Sequence, residues 1–444
     1  MSIHMSFLRC RMIWRRRSFP PRAESNSGIS SNSVVFREEA LRDSEMVRSG
    51  RTDGVCAEKQ LLVSCARTRV VPEIAEGIRE ITAGPLDWDF VLSEATENSV
   101  GPLLDMNLRA VAPESLPASA MERLKIACRA NTVRCLFLAA ELHKILELFR
   151  AAGIVAIPYK GPVLAEQAYG NLTLRDFDDL DIIVPQRDLM KAHGVMLGLG
   201  YQARFPWILS KDSKTALVPG EYNYRDEKRR AVVELHTELT LRHFPVAPDV
   251  DWFAQRLVKV TVAGQEVPTF APEDLLCALC VHGSKDFWER ISWIADVAEL
   301  IQRHADFDWD AAFRTAESLR VERMVHLGLA LADDLLRAPM PAEIRTRVRE
   351  DGEAVSVARE VEQRTLSREL PGAGTGRRLR FRRRMVRGML AGWRYSLRLA
   401  MIPAEEDWEM VQLPGPLAPL YLVLRPLRLL QKYGWSRRRP DASL

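Results

Sequence analysis

Four carboxylates crowd into six residues of the stretch Arg175-Asp176-Phe177-Asp178-Asp179-Leu180-Asp181-Ile182-Ile183-Val184, and an apolar run begins at the last of them. Asp179 and Asp181 are two apart, so on an extended strand both side chains leave the same face. Carboxylates that close repel, raise each other's pKa and attract a cation. Hard oxygen ligands suit Mg²⁺ or Mn²⁺, and Mg²⁺ is usually held by one or two carboxylates plus substrate phosphates. The pattern points to phosphoryl or nucleotidyl transfer. By the repulsion argument, neutralising either aspartate should leave the metal-free protein as stable or more so. Asp176 and Asp178 also suit a turn at the entry to the strand.

Two cations flanking a reacting phosphorus imply a third carboxylate. Val232-Val233-Glu234-Leu235-His236 offers one, with Glu234 and His236 on one face and Val233 and Leu235 on the other. If this strand pairs beside Ile182–Val184, Glu234 completes the site. The competing readings are an exposed strand residue for Glu234 and a hydrogen-bonded structural histidine for His236. A triphosphate also needs backbone donors and positive charge. Gly161 at a strand-to-helix junction can bring the backbone close, and Lys160 and Arg175 are the nearest cations.

The elements that must position these residues can be read from the pattern. Ser119 to Ala152 is an amphipathic helix, with Ser119 and Glu122 spaced as a capping box, Asn131 the one polar interruption of its stripe, and Gly153 at its end. Ile154–Ile157 reads as a short strand, Gly161–Tyr169 as a helix, Leu180–Val184 as a strand and Arg187–Leu199 as a helix closed by Gly200. Tyr222–Tyr224 and Ala231–Leu235 read as an antiparallel hairpin. This order makes a compact α+β unit with a small mixed sheet. After Pro268 the chain turns helical, starting at Pro272. His282, Lys285, Glu289, Trp293 and Asp296 would form one stripe on an unbroken helix, facing either a cleft or solvent.

The blocks Lys160-Gly161-Pro162-Val163-Leu164, Tyr169, Arg175 and Asp179-Leu180-Asp181-Ile182-Ile183-Val184 resemble those of a mostly uncharacterised bacterial nucleotidyltransferase family of the DNA polymerase β-like superfamily. Val233-Glu234-Leu235-His236 and Pro272-Glu273-Asp274-Leu275-Leu276, His282, Lys285 and Trp293-Ile294-Ala295-Asp296 extend the resemblance over about residues 90–320. It implies Mg²⁺- or Mn²⁺-dependent transfer of a nucleoside monophosphate from an NTP to an unidentified acceptor: a small molecule, a protein or RNA. Asp179, Asp181 and Glu234 would hold the metals and do the catalysis. Lys160, Gly161, Arg175 and Lys285 would bind the nucleotide, and His236 and His282 would serve the acceptor or the structure. The superfamily usually places Gly-Ser at the phosphate-binding helix; here Lys160-Gly161 stands before Pro162. The alternative is a catalytically silent module of the same fold that binds a nucleotide or a partner.

The 444 residues carry a net charge of only +4, with 47% hydrophobic and 27% charged residues, which fits a globular chain rather than a polycation. The first 22 residues nevertheless hold six arginines and no acid. The composition predicts a disordered basic leader over 1–55, a helical region over 56–152 and a nucleotidyltransferase core over 153–268. A helical domain over 269–365 and a basic, Leu/Pro-rich region over 366–444 follow. The arginines from Arg377 to Arg387 suit a linker or exposed strip, either solvated or touching RNA or an anionic membrane weakly. Seven scattered cysteines, with Cys277 and Cys280 the one CxxC, fit buried thiols and a reducing, cytoplasmic compartment. No apolar run reaches transmembrane length.

Overall fold

A computed structural model describes residues 55–205, 220–239 apart from 227, 229 and 230, 250–368, 375–402 and most of 407–434. All but the last residue of the expected leader lies outside the described residues. Helices α1 (Ala57–Cys65), α2 (Pro72–Ala83), α3 (Trp88–Glu97) and α4 (Gly101–Val111) come first. Proline in the first turn starts α2 and α4, and the Asp87 side chain accepts from the Phe90 N–H to start α3.

Helix α5 (Ala118–Ala151) runs for 34 residues and ties two cores together. Ala120 and Leu124 join the core of the helical regions, whereas Cys135, Leu138, Leu142, Ile145 and Phe149 join the core beneath the sheet. The expected capping box does not form. The helix starts one residue before Ser119, at an extended Pro117 with no side-chain cap. The polar interruption has a purpose: Asn131 donates to the Thr173 carbonyl at 3.0 Å, and Arg134 donates to the Phe177 carbonyl at 3.0 Å and pairs with Asp176. The loop that delivers Asp179 is thereby held on α5. Gly153 ends the helix with φ +67°, as expected.

The sheet contains β1 (Ile157–Pro158), β2 (Asp179–Ile183), β3 (Gln202–Ala203), β4 (Glu221–Asp226) and β5 (Ala231–His236), in the order β1-β2-β5-β4-β3. Only β2 and β5 run parallel, and their register sets Asp181 opposite Glu234. The expected strand from Ile154 shrinks to Ile157–Pro158. Between β1 and β2, α6 (Gly161–Leu164) continues as a π-helical turn, Ala165–Tyr169; α7 (Leu189–Gly198) follows β2. Leu180, Ile182, Tyr222, Tyr224, Val233 and Leu235 bury one face of the sheet against α5 and α7. By alternation, the polar residues of the same strands share the other face.

After α8 (Val250–Ala254), strands β6 (Val258–Val262) and β7 (Gln265–Thr269) form a separate hairpin that the sequence reading did not identify. Helices α9 (Pro272–Lys285), α10 (Ile291–Arg303), α11 (Trp309–Ser318), α12 (Glu322–Leu336), α13 (Ala342–Glu350) and α14 (Gly352–Leu366) complete the fold's larger core, which they share with α1–α4. The architecture is α+β, a small mixed sheet between helical flanks.

The stripe from His282 to Asp296 is not on one helix. Phe287 and Trp288 take left-handed conformations, φ +68° and +51°, and separate α9 from α10. Gly283 makes the break possible, since a Cβ there would lie 2.6 Å from the buried Trp288 ring.

The C-terminal segment also differs from expectation. Helix α15 (Thr375–Arg384) docks rather than linking: Phe381 and Met385 are buried in the larger core, and Phe381 stacks on Phe287 at 4.4 Å. Arg378 pairs with Glu289, Arg384 with Glu353 and Glu360, and Arg387 with Asp351. Helix α16 (Met389–Met401), a 3₁₀ turn (Gly415–Leu420) and α17 (Tyr421–Gly434) follow. No helix among the described residues is long and apolar enough to cross a membrane.

Candidate active site

Strand β2 presents Asp179 and Asp181, β5 presents Glu234 and His236, and β4 presents Glu221 and Asn223, all toward one face. The register places Asp181 beside Glu234, Glu234 beside Asn223 and His236 beside Glu221. Asp181 lies at the centre, 2% exposed. One Asp181 oxygen accepts from Lys160 Nζ at 2.8 Å and lies 3.1 Å from His236 Nε2, which is 3.7 Å from Glu234. Asp181, Glu234 and His236 each offer a ligand atom within 4.8 Å of the other two. Asp179 stands one step back along the same face, in register with Val232.

Lys160 reaches this point because β1 pairs with β2 and the Tyr159 N–H donates to the Asp181 carbonyl. The chain then turns sharply at Gly161, φ +56°, where a Cβ would come within 3.0 Å of the Asp179 carbonyl. The close approach that requires glycine here is made by the strand's own backbone.

Electrostatics separate the carboxylates. Burial disfavours the charged form of Asp181, yet the Lys160 ammonium and the His236 hydrogen bond outweigh it and hold the carboxyl well below the usual range. Asp179 is pushed up to about 7, by burial first and then by Asp181 and Asp178. Glu234 is pushed up to about 9, by burial and then by Glu221, Asp181 and Asp179. Two half-buried carboxyls whose ionisation is disfavoured thus stand beside a third that is ionised, and of these Asp181 and Glu234, together with His236, lie close enough to one another to hold a divalent cation.

A polar cleft opens here, lined by Lys160, Glu221, His236, His282 and Lys285. Lys285, from the last turn of α9, donates to Glu221 at 2.8 Å. Burial works against its charge, but Glu221 wins and raises its pKa. Burial, Lys160 and Lys285 all push His282 well below the ordinary histidine value, so it is neutral in the cleft.

Of the residues singled out by sequence, Lys160, His236, His282 and Lys285 line this cleft, and Asp181 and Glu234 adjoin it through Lys160 and His236. Arg175 does not turn into it. Its guanidinium forms two hydrogen bonds to Asp296 of α10, at 2.8 and 3.0 Å, and the Tyr169 hydroxyl donates to the same carboxylate. This buried cluster clamps the stretch before β2 to the helical core. Glu221 was missed. The expected hairpin arm began one residue later, at Tyr222, and only the observed register sets Glu221 across from His236.

Residues 84–337 match a family model described as uncharacterised nucleotidyltransferase, a span that includes every residue of the cleft. No curated protein matches the chain. The matched span exceeds half of the 444 residues, and the chain belongs to this nucleotidyltransferase family.

Proposed function

We propose that the protein transfers a nucleoside monophosphate from an NTP to an acceptor, using Mg²⁺ or Mn²⁺ held by Asp179, Asp181 and Glu234. The observation that carries this reading is the parallel register of β2 and β5, which sets Asp181 beside Glu234 on the polar face of the sheet. When bound, the divalent cations would polarise the phosphate and activate the attacking oxygen. Lys160 keeps Asp181 ionised and orients it. Lys285, half-buried on the cleft wall and held by Glu221, is placed to meet the negative charge of a triphosphate. His282 is a neutral hydrogen-bonding group for nucleotide or acceptor. Arg175 acts as a positioning residue through Asp296.

The partners extend this reading. Outward-facing Trp393, Leu397, Val423 and Leu427 on α16 and α17, with exposed Arg380, Arg383 and Arg394, suit weak contact with an anionic membrane surface.

The test is to incubate the full chain with each α-labelled NTP, Mg²⁺ and cell extract, and to ask which fraction acquires covalent label. Labelling should depend on Mg²⁺ and fall by at least about a thousandfold in Glu234→Gln, in line with the loss of transition-state charge stabilisation. Equal labelling by the variant would remove the proposed role of Glu234. NTP binding without any transfer would favour the silent module.

A further inference from the structure

Helix α5 buries one side in the two cores and leaves a second apolar stripe facing solvent. Ile126, Ala130, Val133, Phe137 and Ala140 are all exposed, Ile126 by 57% and Val133 by 69%. Their spacing is four, three, four, three, the seam one helix offers another in a coiled coil. Leu136 flanks the seam and is exposed as well. Single exposed apolar residues are ordinary, but a two-heptad seam on a rigid helix marks an interaction surface.

We propose that this seam docks a second copy of the chain, with α5 packed antiparallel on α5 about a twofold axis at Val133. A twofold sets a surface against itself, so the seam must be self-complementary. About Val133 it is. Ile126 falls opposite the partner's Ala140, Ala130 opposite the partner's Leu136 and Phe137, and Val133 opposite its own copy. Large side chains thus meet small ones, which lets the helices approach closely and fills the space between them. Glu122, exposed, falls opposite the partner's Lys144, a half-exposed ammonium that lies 3.7 Å from Glu141 of its own chain. A parallel pair would instead set Ala130 on Ala130 and turn Arg129 toward the partner's Arg134, leaving gaps and like charges near one another. The same helix holds the loop before Asp179 through Asn131 and Arg134, so pairing would stiffen the support of the cleft.

Sedimentation velocity on the full chain tests this, from about 1 to 50 μM, a range over which mass action populates a specific dimer. A dimer is expected. Val133→Lys puts two ammonium groups at the axis and should weaken association by at least about a hundredfold. Because Val133 already faces solvent, circular dichroism should not change. A short thiol crosslinker, read against the parent chain, reports the direction. Ile126→Cys mixed with Ala140→Cys should crosslink, and Ile126→Cys alone should not. A monomer throughout the range, a dimer that survives Val133→Lys, or crosslinking of Ile126→Cys with itself would overturn the proposal.

Discussion

Asp181 and its two acidic neighbours are chemically alike in sequence and opposite in environment. The repulsion argument treats Asp179 and Asp181 as equivalent, but Lys160 and His236 both face Asp181, which leaves Asp179 and Glu234 to bear the cost of crowding. Without metal, Glu234→Gln and Asp179→Asn should melt at or above the parent, because each replaces a half-buried carboxyl whose ionisation burial and its acidic neighbours already disfavour. Mg²⁺ should raise the melting temperature of the parent and not that of Glu234→Gln, since a ligand stabilises only the state that binds it. Asp181→Asn should melt lower, because it strands the buried Lys160 ammonium, a loss of about 3–5 kcal/mol. Calorimetry in EDTA and in Mg²⁺ checks all three. An Asp181→Asn protein as stable as the parent would contradict the Lys160 account.

Helix ends and breaks carry much of the specificity at the scale of elements. The break between α9 and α10 places Lys285 at the cleft and Asp296 against Arg175, so two residues of one apparent stripe serve different sites. Asp351 does comparable work at the start of α14. It accepts from the Ala354 N–H at 3.2 Å and pairs with Arg323 and Arg387 at 3.3 Å. Burial pushes this carboxyl up, but the Ala354 N–H and Arg323 outweigh it, and the folded pKa is lowered. A depressed carboxylate contributes stability that is present above its unfolded value, about 3.9, and is lost as pH falls through the folded value. Asp351→Ala should therefore cost about 3 kcal/mol at neutral pH, and the gap to the parent should narrow below about pH 4. Urea titrations at both pH values measure it; an unchanged gap would show that the ion pairs contribute nothing.

Charge and exposed apolar area meet in the C-terminal helices at the scale of the whole molecule. Arg378, Arg384 and Arg387 are used up in pairs with the helical region, while Arg380, Arg383 and Arg394 are exposed. Trp393, 67% exposed, and Leu397 are four apart on α16, and Val423 and Leu427 are four apart on α17. Tyr395 and Tyr421 are buried on the opposite sides of these helices. If this surface meets anionic lipid, the chain should co-sediment with vesicles containing phosphatidylglycerol, weakly with neutral ones, and less as salt rises. Trp393→Glu should reduce the binding about tenfold without altering NTP binding. Truncating the segment is a poor test because Phe381, Met385 and Tyr395 belong to the core. Equal binding to neutral vesicles would remove the electrostatic part of this account.

The sequence by itself determined most of the elements around the site and which of their faces carry polar residues. Alternation fixed which face Asp181 and Glu234 occupy, because strand period is a local property. The same logic applies to the β6–β7 hairpin, where Gly at φ +85° follows Ala263 in a two-residue turn. What the sequence could not determine were pairings between distant segments. Arg175 looked like a free cation because Asp296 lies 121 residues away, and Glu221 looked incidental until β4 set it beside His236. The stripe from His282 broke at Phe287 and Trp288, where burying an indole against Gly283 outweighed helical continuity. Periodicity reports what a residue's neighbours in the chain allow. Which carboxylate stays charged, and which cation it keeps, depends on groups that only the tertiary fold brings within a few ångströms.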